Sequence, residues 1–204
     1  MKVVVITGGI GSGKSTAAEY YRGRGAVVVD ADRVADHVLE KGSPVLDRVV
    51  AEFGPDVLLA DGTLDRPALA REAFGSREAT ARLNAIVHPA VAREIGPAIA
   101  DLRLLPDPPD VVVIEVPLLA EAPVFGELAD DVIAIVAPQE LRVSRAVEGG
   151  RAEPDVRRRL AVQASDAQRA ALADVVIVND ADKERFLGEL ERIWEERLAV
   201  GERQ

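Results

Sequence analysis

The chain has 204 residues, 48% hydrophobic and only 3% aromatic, which suits one domain with a moderate insertion and a core built from Val, Leu, Ile and Ala. A formal net charge of −10 argues against general binding to nucleic acid, which rests on basic surface. The lack of cysteine excludes disulfides, thiolate metal sites and cysteine nucleophiles and is compatible with a cytoplasmic location, while no apolar run approaches the ~20 residues that span a bilayer.

Val3–Thr7 is a short apolar run that ends in glycines, too short for a signal peptide, and it predicts a buried parallel strand. Lys14–Arg22 follows as a helix, and Ala26–Val29 as a second strand ending at Asp30. From Ala31 to about Leu105 the apolar residues recur at helical spacing, as in Val45, Leu46, Val49, Val50 and Phe53, and Pro89 is expected to start a further helix. Val111–Val116, Asp131–Ala137 and Asp174–Val178 complete five strands. Gln139–Leu172 is rich in arginine, and Glu184–Leu198 predicts a closing helix packed on the sheet. Strands alternating with helices give an α/β class with a five-stranded parallel sheet flanked by helices.

The sharpest motif is Gly8-Gly9-Ile10-Gly11-Ser12-Gly13-Lys14-Ser15, which fits G-x-x-x-x-G-K-[ST] without a gap, with a strand before it and a helix after it. Glycines let successive amides approach phosphate oxygens with no Cβ in the way, and the helix start adds unpaired N–H donors. Gly9, Gly11, Ser12 and Gly13 therefore form the predicted cradle. Lys14 supplies a mobile charge for the β- and γ-phosphates, the Ser15 hydroxyl a hard ligand for Mg²⁺, and Thr16 assistance at the α-phosphate.

Around this loop stand candidates for transfer chemistry. Asp30-Ala31-Asp32 lies at the carboxyl end of the second strand, where ligands bind in open α/β sheets. One of the two aspartates is the candidate base for an attacking hydroxyl: Asp32 is favoured, because Asp30 better suits a helix cap. Glu115, late in the third strand, is a candidate for orienting the Mg²⁺ water shell. Arg142, Arg145, Arg151, Arg157, Arg158 and Arg159 form the densest basic stretch of an acidic chain, read as an arginine-bearing lid rather than a solvated helix face. With two histidines and no cysteine, a zinc site of the usual kind is not expected.

Taken together, the residues resemble the dephospho-coenzyme A kinase family over nearly the whole chain. The likeness rests on Thr7–Thr16, Asp30-Ala31-Asp32, Ala60-Asp61-Gly62-Thr63-Leu64-Asp65-Arg66, Leu83-Asn84-Ala85-Ile86-Val87-His88-Pro89, Pro117-Leu118-Leu119-Ala120-Glu121 and Ala173-Asp174-Val175-Val176-Ile177-Val178-Asn179. It implies a P-loop kinase-like three-layer fold in a single domain. The core would comprise about 1–30, 111–138 and 173–204, with a helical acceptor-binding insertion at about 31–105 and a lid at about 139–172. It implies that ATP, with Mg²⁺, phosphorylates the ribose 3′-hydroxyl of dephospho-coenzyme A, the last step of coenzyme A synthesis. No nucleic acid, membrane or obligate protein partner is expected. By the match Asp32 is the base, His88, Pro117, Leu118 and Leu119 border the acceptor, Arg145 is a catalytic lid arginine, and Asn179 lies near the adenine. The pattern departs at Glu148, where relatives usually carry a second lid arginine that Arg142 or Arg151 must then replace. A kinase for another small acceptor such as a nucleoside monophosphate, a P-loop regulatory protein and a coenzyme A-binding protein without turnover are the alternatives.

Overall fold

The computed structural model describes residues 1–117, 119 and 123–199. It contains the expected five-stranded, wholly parallel sheet, with β1 (Lys2–Gly8), β2 (Val27–Asp30), β3 (Val111–Val116), β4 (Asp131–Val136) and β5 (Val175–Val178) in the order β2-β3-β1-β4-β5. The central strand β1 is buried at Val3, Val4, Val5 and Ile6 alike, as a strand covered on both faces must be. One face packs on α1 (Lys14–Gly23) and on the closing helix α9 (Lys183–Ile193), which runs on into a π-helical turn at Trp194–Leu198. Val4, Ile6, Val113, Ile133, Ile135 and Ile177 meet Ala17, Tyr21, Phe186, Leu190, Ile193 and Leu198 there. Fully burying each such side chain is worth roughly 1.5–3 kcal/mol. Tyr21 also stacks on Trp194, with ring centroids 5.7 Å apart.

Two compact units divide the chain: Met1–Asp30 with Ala98–Gln204, and Ala31–Pro97. The second unit is helical, with α2 (Ala31–Val38), α3 (Pro44–Phe53), α4 (Arg66–Ala73) and most of α5 (Arg77–Arg103). Its helix starts are written locally. Ser43 accepts from the Val45 N–H at 3.0 Å ahead of Pro44, and Asp65 accepts from the Ala68 N–H at 3.0 Å ahead of Arg66-Pro67. The Asp61-Gly62-Thr63 turn is closed by the Asp61 carboxylate on the Thr63 N–H (2.9 Å) and hydroxyl (2.6 Å). Those bonds hold the Asp61 carboxyl below its ordinary range.

One element differs from its expectation. Pro89 does not begin a helix, because α5 runs unbroken through both Pro89 and Pro97. Each interior proline removes a backbone donor at a cost of about 3 kcal/mol. The buried Leu83, Ile86, Val87, Val91 and Ile95 keep the helical stripe continuous across Pro89 and offset that cost. Arg93 Nε also donates to the Pro89 carbonyl at 3.1 Å.

The arginine-rich stretch forms α6 (Gln139–Glu148), α7 (Glu153–Val162) and the short α8 (Asp166–Ala170). Val143, Ala146 and Val156 bind α6 to α7 in a small apolar cluster joined by Ile10 from the glycine loop.

Candidate nucleotide site

The glycine loop leaves the carboxyl end of β1 and enters α1 at Lys14. Gly11 and Gly13 have φ of +72° and +107°, the left-handed region that favours glycine. Gly13 sits at the N-cap of α1 without a side-chain cap, which leaves the helix start open to an anion. The buried Lys14 sends Nζ back to the Gly9 carbonyl at 3.3 Å, and Ser12 N–H donates to the same carbonyl at 3.2 Å.

Sheet register explains the next contact. Parallel partners share a face, and Glu115 stands opposite Ile6 on β1, whose side chain lies in the cluster under α1 and α9. Glu115 thus points to the α1 side, where the Ser15 hydroxyl donates to its Oε1 at 2.8 Å. Asp30, the last residue of β2, is in register with Glu115. A hydroxyl and a carboxylate are hard oxygen donors of the kind that suit Mg²⁺, an ion that keeps several waters and takes the rest of its shell from substrate phosphates. No cluster of three or more acidic or histidine ligands occurs among the described residues.

Asn179, Arg142 and Gln163 hold the loop from outside, and Arg145 in turn holds Asn179. Asn179, just after β5 and only 5% exposed, donates through Nδ2 to the Ser12 carbonyl at 2.8 Å. Arg145 on α6 fixes that amide, with Nη1 on the Asn179 carbonyl (3.0 Å) and Nη2 on its Oδ1 (3.2 Å) and on the Ala181 carbonyl (3.4 Å). Arg142, one turn earlier, is 6% exposed and donates through Nε to the Ile10 carbonyl at 3.0 Å and through Nη1 to Asp166 at 3.0 Å. Burial pushes the Arg142 guanidinium down, Asp166 draws it up again, and nearby Arg169 pushes it down. Gln163 accepts from the Ile10 N–H at 3.4 Å.

Arg157, Arg158 and Arg159 are engaged elsewhere. Arg157 pairs with Glu140 and Glu153, at 2.8–2.9 Å, and Arg158 and Arg159 pair with Asp155 at 3.1 and 3.2 Å. Glu148, exposed, accepts from the Ser144 hydroxyl at 2.8 Å, and Arg151 is exposed. Arg142 is therefore committed to the loop and to Asp166.

Among the other expected site residues, Thr16 is exposed in the first turn of α1, Pro117 follows β3 half-buried, and Leu119 is buried. Leu118, with Ala120 and Glu121 of the same motif, lies outside the described residues. In the helical unit Asp32 is exposed in the first turn of α2 and His88 is half-buried in α5. Sequence reasoning missed Gln163 and Asp166. Neither belongs to a motif, and an acid 24 residues from the arginine it binds leaves no local signal.

The chain matches the dephospho-CoA kinase family model over residues 2–184. It is 43% identical over 196 residues to the dephospho-CoA kinase of Corynebacterium diphtheriae, covering 96% of each chain. It is also 43% identical over 198 residues to that of Mycolicibacterium paratuberculosis, covering 95% of this chain and 46% of that longer one. A solved dephospho-CoA kinase from Campylobacter jejuni superposes with a TM-score of 0.68 at 24% identity, covering 96% of each chain, which shows the shared fold. With a strand–glycine loop–helix unit in place at the centre of a parallel sheet and a family match across most of its length, this chain belongs to the dephospho-CoA kinase family.

Proposed function

We propose that this protein transfers the γ-phosphoryl group of ATP to the ribose 3′-hydroxyl of dephospho-coenzyme A, giving coenzyme A and ADP. The observation that carries the reading is the preformed phosphate loop with Lys14 at its floor and the Ser15–Glu115 contact beside it, in a chain of this family. Family membership favours this acceptor over a nucleoside monophosphate and favours turnover over a purely regulatory role.

The residues divide the work. Gly9, Gly11, Ser12 and Gly13 line the phosphate site, with the Gly11 and Gly13 amides donating to the phosphate oxygens, and Lys14 follows the charge of the β- and γ-phosphates. Ser15 would hold Mg²⁺ with Glu115 beside it, while Thr16 assists at the α-phosphate. The ion would supply neutralisation of phosphate charge. Asp32 accepts the proton of the attacking hydroxyl, which makes the oxygen nucleophilic as the phosphoryl group leaves ADP. His88, Pro117, Leu118 and Leu119 border the acceptor. Arg145 and Asn179 serve the nucleotide, Arg145 at the transferring phosphoryl and Asn179 at the adenine. In this assignment 1–30, 111–138 and 173–204 are the nucleotide core, about 31–105 the acceptor-binding insertion and about 139–172 the lid. The protein works in the cytoplasm with no obligate protein partner.

The test is direct. Purified protein with ATP, Mg²⁺ and dephospho-coenzyme A is followed for ADP, with Lys14→Ala as the blank. Acceptor-dependent ADP production supports the reading, and ADP release indifferent to the acceptor overturns it.

A further inference from the structure

The loop's carbonyls, rather than its amides, point to an additional pair of residues. The loop's peptide bonds are trans, so every N–H in the loop is directed opposite to the preceding carbonyl. The Ile10 carbonyl is taken by Arg142 Nε at 3.0 Å and the Ser12 carbonyl by Asn179 Nδ2 at 2.8 Å. The N–H groups of Gly11 and Gly13 are thereby turned away from Arg142 and Asn179, and neither has a hydrogen-bond partner among the described residues. Alternate carbonyls are held from outside, and the alternate amides are left as donors for an anion.

Arg142 is built for this task. Its side chain is 7% exposed, and its Nη1 is fixed by Asp166, whose Oδ1 also accepts from Arg169 Nη1 at 3.3 Å. Packing reinforces the hydrogen bond. A Cβ on Gly9 would come within 1.7 Å of Arg142 Nη2, and one on Gly11 within 2.1 Å of the Arg142 carbonyl oxygen. Gly9 is thus required by the arginine side chain behind the loop, and Gly11 by the α6 backbone that carries it.

We propose that Arg142 and Asp166 are positioning residues for phosphoryl transfer: by holding the Ile10 carbonyl on a guanidinium fixed from α8, they set the Ile10–Gly11 peptide plane and so aim the Gly11 N–H at the nucleotide phosphates. Neither touches substrate. Their effect falls on the nucleotide and not on the acceptor. A lysine at 142 retains the charge but lacks the planar fork that reaches Ile10 and Asp166 together.

The proposal rests on the nucleotide-dependent reading above, and its test separates the two by measuring binding without the acceptor. Affinity for MgADP is measured by calorimetry on the full chain, and kcat and both KM values are measured beside it. Arg142→Ala is expected to weaken MgADP about tenfold or more, the value of a charge-assisted hydrogen bond, and to raise KM for ATP similarly. KM for dephospho-coenzyme A should stay within about twofold. Arg142→Lys should fall between, and Asp166→Asn should cost about threefold, with Arg142 keeping its bond to Ile10. Millimolar guanidinium chloride should restore MgADP affinity to Arg142→Ala, whereas equal urea should not. Folded Arg142→Ala with unchanged MgADP affinity overturns the proposal, as does an equal rise of both KM values. If Arg142→Ala does not fold, Arg142→Lys and Asp166→Asn decide: wild-type MgADP affinity in both overturns it. Failure of the wild-type protein to phosphorylate dephospho-coenzyme A, with tight and Arg142-dependent MgADP binding, would refute the acceptor and leave the brace standing.

Discussion

The two ends of the sheet are built on opposite principles. At the carboxyl end, β1 opens into a loop with two left-handed glycines, Gly11 and Gly13, whose amides have no partner among the described residues. The amino end is built from paired charges instead. Asp131, 4% exposed at the start of β4, faces Lys2 at 2.5 Å and Arg197 at 2.5 Å, and Lys2 Nζ also donates to the Arg197 carbonyl at 2.7 Å. The backbone follows suit: Asp130 and Asp174 carboxylates accept from the Val3 and Val132 N–H groups, each at 2.8 Å. One end holds donors in reserve for an anion, and the other spends its charges on closing the chain. Substitutions at the first should damage function more than stability, and at the second the reverse.

The largest effect expected is at the loop. Gly11→Ala places a methyl group against the Arg142 carbonyl oxygen on a backbone with φ of +72°. The loop must reshape, and kcat/KM for ATP should fall by about 100-fold, the scale of losing a preorganised donor. Steady-state kinetics with varied ATP measures it, and retention of near-native kcat/KM would mean that the loop geometry is not what carries the phosphates. Glu115→Gln is milder. The amide still meets Ser15 Oγ, but its charge is gone, so kcat should fall about tenfold and more Mg²⁺ should be needed for half-maximal rate. An unchanged Mg²⁺ titration would remove Glu115 from the metal's surroundings.

How far sequence reached follows the same division. The loop was legible because its whole logic lies in eight consecutive residues, and the strands because buried parallel strands are unbroken apolar runs. The partnership of Ser15 with Glu115 was only half legible: each was a candidate near Mg²⁺, but their contact follows from the β1–β3 register, which no single segment contains. The brace was illegible. Arg142 looked like one more lid arginine, since a guanidinium bound to a backbone carbonyl across 132 residues has the same sequence as one waiting for phosphate. Pro89 misled for a related reason: local propensity favours a helix start there, and tertiary burial along α5 prevails.

The amino end tests the other half of the comparison. Burial pushes the Asp131 carboxyl up, but hydrogen bonds from Arg197 and Lys2 outweigh it and hold it below its ordinary value. A carboxyl whose folded pKa is depressed contributes stability that is present above its unfolded pKa, about 3.9, and lost as pH falls through the folded value. Asp131→Asn should therefore destabilise by about 1–3 kcal/mol at neutral pH, discounted because the Lys2 and Arg197 side chains are 26% and 42% exposed. The gap in Tm between wild type and variant should narrow as pH drops from 6 toward 3, on the scale of the unfolded carboxyl pKa. A constant gap would mean that packing, not charge, is what the substitution removes. MgADP affinity should not move, because the substitution lies at the end of β4 remote from Lys14.

Lys2→Met is the smallest and most discriminating change. It keeps the apolar stem and removes one of two cations on Asp131, leaving Arg197 in place. Because the partly exposed pair is screened by solvent, the expected loss is about 0.5–1 kcal/mol, less than that of Asp131→Asn. Chemical denaturation of Lys2→Met, Asp131→Asn and the double variant closes a cycle. If Lys2 acts through Asp131, the double variant is no worse than Asp131→Asn alone. If the losses simply add, the bond from Lys2 Nζ to the Arg197 carbonyl is the part that matters, and the amino end is closed by tying the last turn to the first strand rather than by neutralising a buried acid.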